Sequence, residues 1–99
     1  MITEIADIQI RPEQRTEFLA AIHLAARTVL CHAKGYVAHQ ILPCVESPAR
    51  VVLIVQWQTL EDHTVGFRQS PAFAEWRALI GPFFAQPPHV EHFELSKPA

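Results

Sequence analysis

Trp57, His63 and Arg77 are the residues of this 99-residue chain whose types and spacing offer chemistry. All three lie between Val51 and Phe84: an apolar run ends in the indole, the histidine follows shortly after, and the arginine sits in an aromatic-rich segment begun by Ser70-Pro71. An indole gives a flat apolar wall on which an aromatic ring can stack. A histidine, with an unperturbed pKa of about 6.5, can exchange a proton near neutral pH. An arginine is an always-charged fork that holds an anion. Together they suit a small-molecule pocket in which a proton is removed and the anion left behind is held. Each also has an ordinary structural role, as a core indole, a histidine in a helix's exposed first turn, or a solvated arginine beside Glu75.

These residues must be positioned by strands and helices, and the pattern of the chain supplies both. From Ile2 to Ile10 the residues alternate: Ile2, Ala6, Ile8 and Ile10 share one face, with Glu4 near the fraying end, and Thr3, Ile5, Asp7 and Gln9 share the other. Pro12 and Glu13 open a helix whose apolar stripe is Phe18, Leu19, Ile22, Ala25, Ala26, Val29 and Leu30, ended by Lys34 and a left-handed Gly35. Tyr36 to Leu42 reads as a second strand, closed by Pro43, and Val51 to Trp57 as a third, buried on both faces. Thr59 and Asp62 form an approximate capping box for the next helical segment. Ser70-Pro71 starts another, with a stripe of Phe73, Trp76, Leu79 and Ile80 that Gly81-Pro82 breaks. After Pro87-Pro88, His89 to Leu95 is the last strand and SKPA a frayed tail. The order β-α-β-β-α-β predicts an α+β, ferredoxin-like domain: a four-stranded antiparallel sheet with helices on one face, spanning residues 1–99. The bare face, with Ile5, Val37, Ile41, Val52 and Ile54 as candidates, needs a partner, and a homodimer packed sheet on sheet supplies it.

Composition narrows the field. With 49% apolar and 18% charged residues the chain is globular, and a net charge of −2 with scattered Lys and Arg argues against nucleic acid. No apolar run reaches the ~20 residues of a membrane span and the N-terminus lacks the pattern of a signal peptide, so the expectation is a cytoplasmic protein with no membrane partner. Cys31 and Cys44 read as two reduced thiols. A metal is not expected: His89 and His92 on a strand point to opposite faces, and no two histidines stand at the four-residue helical spacing of a zinc pair. Asp7 and His39 can pair as acid and base only if their strands lie in register; the first and last helix-linked strands are expected centrally, which would let His92 neighbour either.

The strand ending in Trp57, the SPAFAEW helix start, the PFFA break and the final VEHFE strand resemble the antibiotic biosynthesis monooxygenase (ABM) domain over nearly the whole chain. The resemblance implies a dimeric α+β barrel. It further implies an oxygenase that acts on phenolic, quinol-like or polyketide aromatics with dioxygen and no cofactor. It implies Trp57 and Arg77 on the pocket wall, His63 in the place of a phenolic side chain, and Leu53 in the place of an asparagine. Phe67, Phe73 and Phe83 complete the expected substrate-binding set, with His63 and Arg77 as its catalytic members. Two other readings stay open on this fold: a cofactor-free isomerase or proton-transfer enzyme, and a dimer that only binds a small molecule. Related barrels that degrade haem use a helical histidine and a first-strand asparagine; Arg77 and Ala6 or Asp7 stand at those places here, which disfavours that chemistry.

Overall fold

The computed structural model describes residues 1–98, so that of the expected SKPA tail Ala99 lies outside the described residues. Strands β1 (Ile2–Gln9), β2 (Tyr36–Pro43), β3 (Arg50–Trp57) and β4 (His89–Glu94) form one antiparallel sheet in the order β2-β3-β1-β4. Helices α1 (Arg15–Thr28) and α2 (Pro71–Ile80) cover one side of it, which makes this the ferredoxin-like α+β fold. The core lies between these layers: Phe18, Ile22, Ala25, Ala26 and Leu30 from α1 and its exit meet Ala6, Ile8, Val51, Val55 and Trp57 of the sheet, with Ile80 from α2. Each large side chain so enclosed contributes about 1.5–3 kcal/mol, far more than any surface contact here.

Four features depart from what the pattern implies. Strand β4 lies at the sheet's edge and pairs only with β1, so His92 stands opposite Glu4 and has no second strand beside it. In β3 only Val51, Leu53, Val55 and Trp57 are buried, while Val52, Ile54 and Gln56 are half-buried, because no second layer covers their face. Ile41 is not on the bare face. A bulge between Tyr36 and Ala38 shifts the phase of β2, pairs Ile41 with Leu53 and turns it toward the core. The same bare face carries Leu42 opposite Val52, and Phe93 opposite Thr3, both exposed.

The chain after β3 is the fourth. The Thr59 hydroxyl accepts the Asp62 N–H at 3.1 Å, the expected cap, but the turn that follows is a π-helix, Asp62–Phe67. Its widened register is marked by the Arg68 N–H donating to the His63 carbonyl at 3.0 Å. Helix α1 stops at Thr28 and a short 3₁₀ turn, Leu30–His32, leads to Gly35, whose φ of 84° is the left-handed conformation expected of it. Glycine is required there twice over, since a Cβ would meet the Asp62 carboxylate.

Candidate functional site

Three elements of the sheet and the π-helical turn converge on one buried polar cluster. Glu4 belongs to the inward face of β1, in line with Ala6 and Ile8, and is only 6% exposed. Its neighbours across the sheet are Val55 on β3 and His92 on β4. The Trp57 indole N–H donates to Glu4 Oε1 at 2.9 Å. His63 enters from above, stacked on Trp57 with ring centroids 5.1 Å apart, its Nε2 3.4 Å from Glu4 Oε1. Its other nitrogen, Nδ1, is hydrogen-bonded to His92 Nε2 at 2.8 Å, one of the two rings donating. The line His92–His63–Glu4–Trp57 thus runs from the sheet edge into the core.

Burial sets the electrostatics of this line. Taking a carboxylate out of water costs several kcal/mol, and no lysine or arginine among the described residues forms an ion pair with Glu4. Burial therefore raises the Glu4 pKa, against the lowering effects of the Trp57 hydrogen bond and the nearby Arg68 charge. His63 moves the other way, to about 4, chiefly through burial and then through Arg68 and His92. His92 is also lowered, by burial and Arg68. At neutral pH both imidazoles are uncharged.

A cavity of about 260 Å³ opens beside the cluster. Glu4 and His63 are the polar groups of its interior, set among Ala6, Leu53, Val55, Phe67, Phe73 and Trp76. Arg68 and Arg77 line its exposed side, and the Arg77 guanidinium lies 6.0 Å from the centre of the Phe73 ring. The structure thus brings together five of the residues singled out from sequence: His63, Arg77, Leu53, Phe67 and Phe73. Two stand elsewhere. Trp57 has no exposed surface and stays off the cavity wall, because His63 covers its face. Phe83 packs edge-on against Phe18, as Phe84 also does, but of the two only Phe84 lines the cavity. His63 is buried rather than in an exposed first turn, and the near-neutral pKa assumed for it is absent in the fold.

The sequence pattern does not bring Glu4 or Arg68 to the site, and it offers His92 only as a neighbour of a central strand. Glu4 lies near the fraying end of its strand, and its inward phase with Ala6, Ile8 and Ile10 is the available signal. His92 required the register of β4, and Arg68 the π-helical turn. Asp7 is not part of the site: both its carboxylate oxygens accept from Arg50, at 2.9 and 2.8 Å, on the bare face. His39 is bonded to the Tyr36 hydroxyl at 2.6 Å. Among the described residues no group of three or more His, Cys, Asp or Glu side chains is placed to hold a metal ion, and no helix is long and apolar enough to cross a membrane.

A sequence model described as antibiotic biosynthesis monooxygenase matches residues 1–79. The uncharacterized protein YczJ of Bacillus subtilis (strain 168) is 40% identical over 94 residues, 95% of this chain and 98% of that protein. A solved structure from Bordetella bronchiseptica, described under the same family name, superposes with a TM-score of 0.90 at 38% identity, covering 97% of both chains. A Streptomyces coelicolor monooxygenase from the gene ActVA-Orf6, solved in complex with nanaomycin D, shares the fold at a TM-score of 0.81 and 15% identity, over 99% of this chain and 89% of that one.

Proposed function

Since this chain belongs to the antibiotic biosynthesis monooxygenase family, we propose that it is a cofactor-independent monooxygenase that oxidises a small phenolic, quinol-type or polyketide-like aromatic with dioxygen. The observation that carries the reading is an apolar cavity with proton-exchanging groups inside it and two guanidinium groups at its open side. The apolar walls exclude water and receive the ring. Loss of the hydroxyl proton turns the substrate into an electron-rich anion, and Arg68 and Arg77 hold that anion in place. The anion passes an electron to dioxygen, and the two radicals join as a peroxide. Protonation and loss of water then leave a new carbonyl. The substrate supplies all four electrons; one oxygen atom enters the product and the other leaves as water.

Volume sets the size of the substrate. A dry cavity of roughly 150 Å³ accepts one benzene, so about 260 Å³ suits one ring or two fused rings. Nanaomycin D in the Streptomyces coelicolor protein is in keeping with a small organic ligand on this fold. The working form is a cytoplasmic homodimer joined through the bare sheet face, where Ile5, Leu42, Val52, Ile54 and Phe93 gather.

Oxygen uptake with a panel of reduced naphthoquinols and anthrones, with and without added flavin, tests the proposal. Uptake without flavin, greater for the two-ring compounds and lowered by Arg77→Ala and by His63→Ala, is expected. If no compound is consumed while an aromatic ligand still raises the melting temperature, the protein is a binding dimer and the oxygenase reading fails.

A further inference from the structure

We propose that the Glu4 carboxylate is the group that takes the substrate's proton, and that His63 and His92 carry this proton between the cavity and the edge of the sheet. The proposal deepens the oxygenase reading and rests on it for the identity of the substrate. Its first support is the division of labour between the two carboxylate oxygens. Trp57 and His63 both address Oε1. Among the described residues Oε2 has no hydrogen-bond partner, yet no fully buried side-chain oxygen there is without one. Oε2 therefore retains open surface, and the space it meets is the cavity that Glu4 lines. A carboxylate oxygen presented to a hollow with apolar walls is placed to accept a hydroxyl proton.

The second support is continuity. From Oε1 the line passes to His63 Nε2 at 3.4 Å, through the ring to Nδ1, and on to His92 Nε2 at 2.8 Å. The first step is longer than a formed hydrogen bond; such contacts commonly tighten when substrate binds. His92 does not line the cavity and is half-buried on the edge strand, so the far end of the line meets solvent. The charged group facing all three is Arg68, which favours their deprotonated forms. Burial opposes it at Glu4 and favours the protonated carboxyl, while burial and Arg68 weaken the hold of His63 on a proton, so that this ring passes it on.

The transfer balances. The substrate O–H breaks as the Oε2–H bond forms, and a half-turn of the carboxyl presents that proton to His63 Nε2. His63 Nδ1–H is given to His92 Nε2, and the His92 Nδ1 proton leaves to water. When the peroxide later needs a proton, the same steps run backward and restore both rings to their starting tautomers. The line thus lends a proton out and takes it back within one turnover.

The test uses 1-naphthol under nitrogen, whose anion absorbs at longer wavelength than the neutral form. Bound to the wild type at pH 7 it is expected as the anion, and the infrared difference spectrum gains a protonated-carboxyl band that moves on ¹³C-glutamate labelling. Glu4→Gln keeps an oxygen for Trp57; it should bind neutral naphthol within about threefold of wild-type affinity and lose roughly 100-fold or more in kcat with little change in KM. His92→Phe should leave the bound naphthol ionised but lower kcat and enlarge the solvent isotope effect. Naphthol ionised equally well by Glu4→Gln, or absent as the anion from the wild type, overturns the proposal. Oxygen uptake by a wild type that leaves naphthol neutral keeps the oxygenase and removes the Glu4 role. An ionised naphthol without oxygen uptake on any substrate does the reverse.

Discussion

Acidification should weaken this fold in a window set by His63. Its imidazole titrates near 6.5 when the chain is unfolded and near 4 in the folded protein. A base with a lowered folded pKa stabilises the fold fully above pH 6.5, and that contribution is lost as the pH falls toward 4. The difference of about 2.5 units is worth roughly 3 kcal/mol at most, with about 2 kcal/mol gone by pH 5. His92 adds in the same direction. Glu4 opposes both, because its raised pKa makes protonation easier in the fold than in the unfolded chain. The comparison is therefore made in Glu4→Gln, where that carboxyl is gone and none of the three causes of the His63 shift is touched. Urea unfolding at pH 7 and pH 5, with Glu4→Gln set against Glu4→Gln/His63→Gln, should differ by about 2 kcal/mol in how much stability is lost, roughly 10 °C in Tm for a domain of this size. An Hε1 resonance of His63 that titrates near 6.5, or equal losses in the two variants, refutes the reasoning.

Three further outcomes follow from the geometry. Gly35→Ala should destabilise by about 1–3 kcal/mol, through its φ of 84° and the Asp62 carboxylate, and adding Asp62→Ala should recover the steric part but leave about 1 kcal/mol of backbone cost in thermal melts. Trp57→Phe removes the donor to Glu4 Oε1 and should cost about 1.5–3 kcal/mol, read by chemical denaturation, while raising the carboxyl's pKa further. Ile54→Glu places a charge on the bare sheet face and should give a monomer or a poorly soluble protein in sedimentation; a well-folded dimer would contradict sheet-on-sheet packing.

The sequence carried the fold because each element is written in a local period: the inward Ala6, Ile8 and Ile10, the stripe from Phe18 to Leu30, and the punctuation at Gly35, Ser70-Pro71 and Gly81-Pro82. It carried Phe73 through the helical stripe, and Phe67 and Arg77 only through the resemblance to the family. What escaped depends on relations between elements. The partnership of Glu4 and His92 is a matter of register between two strands that are distant in the chain. Alternation alone puts Ile41 on the outer face, because it says nothing of a bulge that resets the strand's phase. The resemblance puts Trp57 on the wall, and its position at a strand end does not reveal that His63 stacks against it.

The placement of β4 has a consequence for how activity is lost. His92 is borne by a strand with hydrogen-bonded neighbours on one side only, whereas Glu4 and Trp57 are borne by the two central strands. An outer strand of this kind detaches locally at a lower free-energy cost than the whole domain unfolds. On warming, the outer end of the proton line would peel away while the layered interior is still intact. Turnover would then decline several degrees before the melting midpoint, and amide exchange along His89–Glu94 would quicken in step with it.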